Sequence, residues 1–329
     1  MLNAAIVGLG RWGRYLVDAV QAGGTPKGEA IRFTRGITRT PANASDYAVA
    51  QQLLLSNDLG DALADPDIEG LVFATPHEQH ADQIRAASAA GKHIFIEKPL
   101  SLTKASAEQA VAHAQCGSVV LALGHNRRFL HSMGALKRLV DEGELGTIVH
   151  VEGNFTGTFG FDYEPGMWRA EESGASGAMT AMGIHIVDGF IHLAGPIEVV
   201  RCTSIRRAIS IDMADAVSVH VQFASGASGF LSTLLVSPRF RRFQVFGTKG
   251  WAQMRGHHAL DVCGADATVE THSFNDEDGL REELEAFATA AMGGPPYPLP
   301  LDQAIHGIAV FEAAMLSSRS NGAPTKVAV

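Results

Sequence analysis

Residues 4–13 read Ala4-Ala5-Ile6-Val7-Gly8-Leu9-Gly10-Arg11-Trp12-Gly13. The four apolar residues that open this stretch form a short buried strand. Three glycines follow in the spacing G-x-G-x-x-G, and a helical run continues to about Ala22. Gly8 permits a tight turn, Gly10 lets a ligand come close to the backbone, and Gly13 lets helix and strand pack tightly. The helix start at Arg11 and Trp12 turns unpaired N–H groups and a positive dipole end toward a phosphate. Glycines also serve ordinary turns, but between a strand and a helix this spacing is a dinucleotide fingerprint.

The pattern repeats outward from there. Ile31–Ile37 reads as a second strand, 68–74 as a third, 92–96 as a fourth and 119–123 as a fifth. Helices are predicted near 43–54, 58–64, 80–90 and 103–115, with Gly91 ending one of them. Strands alternating with helices at this spacing predict a doubly wound parallel sheet, the Rossmann arrangement, over residues 1–124. The second strand ends in Thr38-Arg39-Thr40, where sites for NAD place an acid to hold the ribose 2′-hydroxyl. An arginine and hydroxyls suit a 2′-phosphate, so NADP(H) is expected in preference to NAD(H).

The fourth strand leads into Ile94-Phe95-Ile96-Glu97-Lys98-Pro99. A proline cannot continue a central strand, so Glu97 and Lys98 stand at its carboxyl end, where open α/β sheets bind ligands. A surface ion pair is the plainer reading of two such charges.

From about residue 149 the pattern changes to long alternating runs at 148–157, 199–209, 216–223, 228–236, 243–246 and 251–254. They predict a large, mostly antiparallel open sheet with one face exposed, in an α+β domain over 125–329. Between them lies a helix over 177–193, with Ser173–Ser176 supplying its turn and cap. At helical spacing Ala181, His185, Asp188 and His192 share a face. His185, Asp188 and His192 could be read as metal ligands, but nothing else supports that and no metal is expected. Late helices are predicted near 279–292 and 302–318.

The chain has 329 residues, 46% of them hydrophobic, and a formal charge of −9. Such a balance argues against nucleic-acid binding, which needs a basic face. No apolar run is long enough to span a bilayer, no leader precedes the first strand, and three dispersed cysteines suit a reduced compartment. A cytoplasmic location is therefore expected. His257, His258 and His306 are read as structural, and Arg239, Arg241 and Arg242 as solvated clusters at strand ends that an anionic substrate could use.

Taken together, the fingerprint at 8–13, Ala74-Thr75-Pro76 with His80, and Ala90-Gly91-Lys92-His93 with Glu97-Lys98-Pro99 resemble the Gfo/Idh/MocA family of oxidoreductases. The likeness extends through Gly124-His125-Asn126-Arg127-Arg128-Phe129, Trp168-Arg169, Met182-Gly183-Ile184-His185 with Asp188, and Gly247-Thr248-Lys249-Gly250. It implies that Gly8, Gly10 and Gly13, with Arg11 and Trp12, hold the pyrophosphate, and that Thr75, Pro76 and His80 lie along the cofactor. Glu97 would contact the nicotinamide ribose and Asn126 would lie near the nicotinamide. Lys98 would be the catalytic lysine, joined by His185, and Arg128, Trp168, Arg169 and Asp188 would meet the substrate.

The resemblance further implies a dimer or tetramer built through the outer face of the second sheet, and a last helix that packs back on the first domain. The expected activity is hydride transfer between NAD(P) and a carbon bearing a hydroxyl or oxo group on a small cyclic or sugar-like substrate. Where many of the family's sugar dehydrogenases carry an aspartate, this chain has Ala181, which favours a less polar substrate such as a cyclic alcohol, dihydrodiol or keto acid. Phe155, Phe159, Phe161, Tyr163 and Trp168 are candidate walls for it. A nucleotide-sensing protein without turnover and an NAD-dependent glycosidase of the same family are the alternatives.

Overall fold

The computed structural model of the protein describes residues 1–167, 177–275 and 278–328. The chain divides into two units, one made of Met1–Ser101, Ala105–Asn126 and Asp278–Leu301, the other of Leu102–Lys104, Arg127–Glu277 and Asp302–Val329.

The first unit holds a six-stranded sheet in the order Leu54–Ser56, Ile31–Ile37, Leu2–Val7, Gly70–Phe73, His93–Glu97 and Leu121–Gly124. Every neighbouring pair is parallel. Ile6, Val72, Phe95 and Ile96 are completely buried, as expected for strands covered on both faces. The chain moves outward from Leu2–Val7 in one direction and then resumes on its other side at Gly70–Phe73. The carboxyl ends of these two strands therefore flank the switch point where such sheets form their binding crevice. The helix Arg11–Val20 buries Gly13, Leu16, Val17 and Val20, a 3.6-period stripe, against the unit's core.

One strand of this sheet was not foreseen. The helix expected to reach residue 54 ends at Gln51, and Leu54–Ser56 forms the sheet's edge. Gln52 makes the turn at a φ of 57°, a conformation usually signalled by glycine, so no signal for the break was present.

The helix Gly279–Ala291 belongs to this unit, with the Phe287 ring 5.8 Å from that of Phe95. The last helix, Leu301–Arg319, lies almost wholly in the second unit, where Val310, Phe311 and Ala314 join the core beneath the large sheet. Its apolar residues are used as cover for that sheet.

The second unit's sheet has nine strands in the order Val269–Ser273, Ala259–Cys263, Trp251–Arg255, Phe240–Gly247, Ile148–Thr156, Ser228–Leu234, Ala216–Phe223, Ile197–Ile205 and Thr325–Lys326. Ile148–Thr156 and Ser228–Leu234 pair in parallel and the other neighbours antiparallel, giving the mostly antiparallel sheet read from the alternation. Strands Ala259–Cys263 and Val269–Ser273 escaped that reading. The second is exposed along its whole length and carries no alternation.

One face of this sheet packs on helices His131–Asp141, Ile184–Ala194 and Leu301–Arg319, through residues such as Val151, Leu231, Phe190 and Leu136. The helix Ile184–Ala194 lies unusually close. A Cβ on Gly153 would sit 2.2 Å from Ile186, and one on Gly189 would sit 2.5 Å from Phe243.

Candidate functional site

In the first unit three loops leave the carboxyl ends of adjacent parallel strands: Gly8–Gly10, Ala74–Pro76 and Lys98–Pro99. Gly8 has a φ of +99°, and a side chain there would strike the Ala74 carbonyl at 2.5 Å. A Cβ on Gly13 would fall 1.9 Å from the Gly8 carbonyl oxygen, whereas Gly10 has nothing within 4 Å. Packing thus demands two of the glycines, and the third leaves the backbone open to approach. The ten-residue helix behind them starts without a side-chain cap or an acid in its first turn. Its terminal N–H groups and positive dipole end remain available to phosphates. These residues fit a dinucleotide.

Ile94, Phe95 and Ile96 are fully buried and Glu97 is 8% exposed at the strand end. Burial raises the Glu97 carboxyl from 4.5 to about 7, and the Trp12 indole and the Lys98 ammonium oppose that rise. Trp12, expected along the cofactor, is therefore also a neighbour of Glu97. Lys98 is half-buried, just beyond the strand and before Pro99. Thr75 donates its hydroxyl to Gln83 Oε1 at 2.6 Å. Asn126 opens a short 3-10 turn after the strand Leu121–Gly124. At the end of Ile31–Ile37, the Thr38 N–H donates to the Ser56 carbonyl at 3.0 Å and Arg39 is exposed.

His80 does not line a cofactor surface. It is completely buried, with Nδ1 2.7 Å from the Pro99 carbonyl oxygen and Nε2 3.2 Å from that of Thr75. Burial, with Lys98 adding to it, pushes its pKa down to about 4. A neutral imidazole has one N–H, and the shorter contact assigns it to Nδ1. His80 is a brace between two of the three loops.

In the second unit, a π-helical turn, Met179–Gly183, precedes the helix Ile184–Ala194, so the run expected over 177–193 is two conformations. Wide turns of this kind recur at functional sites. Ala181 lies in the π turn, and His185 lies in the first turn of the α-helix. His185 is buried, its ring centroid 6.1 Å from that of Phe155.

Asp188 is gripped by Arg128, whose Nε and Nη2 donate at 3.0 and 2.8 Å. Both side chains are under a tenth exposed. Arg128 also donates to Gln303 at 2.9 Å and lies 3.3 Å from His192 Nδ1. Burial, then Arg128, lowers the His192 pKa to about 4. Arg128 and Asp188, expected at the substrate, thus form a buried brace in which each satisfies the other. Trp168, Arg169 and the turn at 173–176 lie outside the described residues.

The sequence reading did not bring together the neighbouring cluster. Arg127 and Arg241 stack on Phe155 with their guanidinium carbons 4.1 and 4.7 Å from the ring centroid. Both reach His257 Nε2, at 3.3 Å from Arg127 and 2.6 Å from Arg241. Arg241 is at a strand end as expected, but it is half-buried in this cluster and not solvated. The strand begins at Phe240, and Arg241 stands directly across from Phe155 in the ladder. Arg242 points to the opposite face and pairs with Glu152.

Burial, then Arg241 and Arg239, holds the Arg127 guanidinium well below its ordinary pKa. Burial and Arg239 bring Arg241 to about 10, and burial with these arginines takes His257 to about 3. His257 is thus a neutral acceptor for two cations. The signal for this cluster lay only in strand register, which no local pattern encodes.

Two family models match the chain: an oxidoreductase family with an NAD-binding Rossmann fold over residues 2–125, and the GFO/IDH/MocA C-terminal domain over 133–253. The rhizopine catabolism protein MocA of Rhizobium meliloti is 30% identical over 268 residues, 78% of this chain and 77% of that protein. The scyllo-inositol 2-dehydrogenase (NADP(+)) IolW of Bacillus subtilis is 26% identical over 64% of this chain, and the match spans only 57% of that protein's length. Among solved structures, levoglucosan dehydrogenase in complex with NADH and levoglucosan is similar with a TM-score of 0.89, at 21% identity and full coverage of both chains. No described helix is long and apolar enough to cross a membrane.

Proposed function

The chain belongs to the GFO/IDH/MocA family, and on that premise we propose that it transfers a hydride between NADP and a carbon bearing a hydroxyl or oxo group on a small cyclic or sugar-like substrate. The observation that carries this reading is the convergence of the Gly8, Thr75 and Lys98 loops at the carboxyl ends of three adjacent parallel strands. When bound there, the nicotinamide supplies or accepts the hydride.

The protein's part is to hold the dinucleotide and to move a proton. Gly8, Gly10 and Gly13 with the start of the helix Arg11–Val20 cradle the pyrophosphate. Glu97 holds the nicotinamide ribose, and Asn126 lies near the nicotinamide. Lys98 carries the proton to or from the substrate oxygen, and His185 holds that oxygen. Beside the positive charge of an oxidised nicotinamide, a lysine ammonium is disfavoured, which suits it to proton exchange near neutrality. Arg39 and Thr38 favour the 2′-phosphate of NADP over the bare ribose of NAD, because no acid stands at that strand end. The open outer face of the nine-stranded sheet is proposed as the surface through which copies of the chain associate.

Absorbance of NADPH, followed across a panel of alcohols, sugars, dihydrodiols and oxo compounds, tests the reading. A Lys98→Ala variant is expected to keep NADP(H) binding and to lose at least about 10²-fold in turnover, the usual general acid–base contribution. Unchanged turnover would remove Lys98 from its role. Tighter binding of NADH than NADPH would remove the assignment to Arg39. Tight NADP(H) binding with no turnover on any compound would favour the sensing alternative that Ala181 suggests.

A further inference from the structure

Arg127, Arg241 and His257 have no part in the proton and hydride chemistry proposed above, yet they are gathered as a site would be. Arg127 comes from the turn Asn126–Phe129, Arg241 from the strand Phe240–Gly247, and His257 follows the strand Trp251–Arg255. The two guanidiniums lie on the Phe155 ring and share His257 Nε2 as acceptor. The Nε atoms of both arginines are buried and make no hydrogen bond. Among the described residues no carboxylate pairs with Arg127, Arg241 or Arg239. His257 brings no negative charge, and Arg239 adds a third positive one nearby.

Arginines hold their charge in proteins, so this arrangement leaves at least two cations side by side without an anion. A buried cation is ordinarily retained when it is paired, as Arg128 is by Asp188, whereas the half-buried Arg127 and Arg241 have no such partner among the described residues. The cluster and His185 line one cleft, together with Asn154 and Phe155. An anion held there would therefore belong to a molecule that His185 also reaches.

We propose that Arg127 and Arg241 form a subsite for an oxyanion, a carboxylate or phosphate group carried by the substrate, with both guanidiniums seated against Phe155. Planar forks match such groups through paired N–H bonds. The substrate class becomes acidic sugar-like or cyclic compounds, and neutral polyols are disfavoured because they leave the cations unpaired. This rests on the oxidoreductase reading for the identity of the ligand as substrate, and the experiment separates the two.

The full chain loaded with NADP is compared on D-glucuronate, D-glucose 6-phosphate and D-glucose, by kcat/KM and, separately, by calorimetric binding. At least one acidic probe is expected to exceed D-glucose by about 10²-fold or more in either measure. Preference for glucuronate identifies the carboxylate, and preference for the 6-phosphate identifies the phosphate. Arg241→Gln should cut that preference at least about tenfold, and Arg241→Lys, which keeps the charge without the fork, should restore part of it. Circular dichroism confirms that both variants fold, and the wild-type comparison stands without them. Acid-selective binding lost in Arg241→Gln without any turnover keeps the subsite and defeats the oxidoreductase reading. Turnover of D-glucose equal to the acids, or no selective binding of either acid, overturns the subsite.

Discussion

Arg127 and Arg128 are neighbours in the chain with opposite surroundings. Arg128 is under a tenth exposed and donates to both oxygens of Asp188, to Gln303 and toward His192. Arg127 meets an aromatic face, another arginine and a neutral histidine. A burial measure alone would class them together. The difference lies in what balances the charge: Arg128 is compensated by the protein's own carboxylate, while Arg127 has no carboxylate partner among the described residues. A satisfied buried cation holds helix to turn, and an unsatisfied one marks a place for a ligand.

The comparison breaks most easily at Asp188. Asp188→Ala would leave Arg128 with Gln303 and His192 as its remaining polar partners among the described residues, and should cost about 3–5 kcal/mol of stability, the usual penalty for stranding one member of a buried pair. Urea unfolding of the apo protein measures it. A loss below about 1 kcal/mol, the range of an exposed pair, would show that the Arg128–Asp188 contact is not a brace.

Glu97 extends the contrast to the first unit, since it is a buried carboxylate that Lys98 and Trp12 only partly compensate. Its folded pKa, about 7, lies above its ordinary 4.5. The folded state therefore binds more protons between those values, and stability falls as pH rises through that window and stays low above it. Glu97→Gln mimics the protonated form, so it should stabilise the apo protein by up to about 3 kcal/mol at pH 8 and by little at pH 5. His80 has the opposite sign. Its pKa, lowered to about 4 by burial, makes the folded state lose stability as pH falls below about 6.5. Equal effects of Glu97→Gln at both pH values would mean that its carboxyl titrates normally.

Much of this molecule was legible in its sequence, for a physical reason. Gly8 and Gly13 are where they are because a Cβ would collide with backbone, so their spacing reports geometry directly. The same holds for buried strands, whose apolar runs are the price of two covered faces. Interactions set by register stayed hidden. Nothing near Arg241 announces that Phe155 lies opposite it, and a strand reading that began at Phe243 left it outside. The π turn before His185 and the edge strand after Gln52 were missed because neither break carries a local marker. The apolar content of the last helix shows that it is covered, not by which sheet.

The smallest expected effect is the sharpest test of the difference between the two arginines. Arg127→Met keeps an unbranched apolar stem on Phe155 and removes one charge from a group of cations. It gives up a stacking contact worth about 0.5–2 kcal/mol and a long hydrogen bond to His257. It gains relief from the cost of burying an unpaired cation beside Arg241 and Arg239, and replacing buried charge by packed apolar atoms is often neutral or stabilising. These terms oppose one another, so apo stability should stay within about 1 kcal/mol of wild type, against the several lost at Asp188. Urea midpoints of Arg127→Met and Asp188→Ala, measured side by side at one pH, compare them directly. A loss at Arg127 as large as that at Asp188 would mean that its charge is balanced within the chain after all, and the two arginines would then be the same kind of residue.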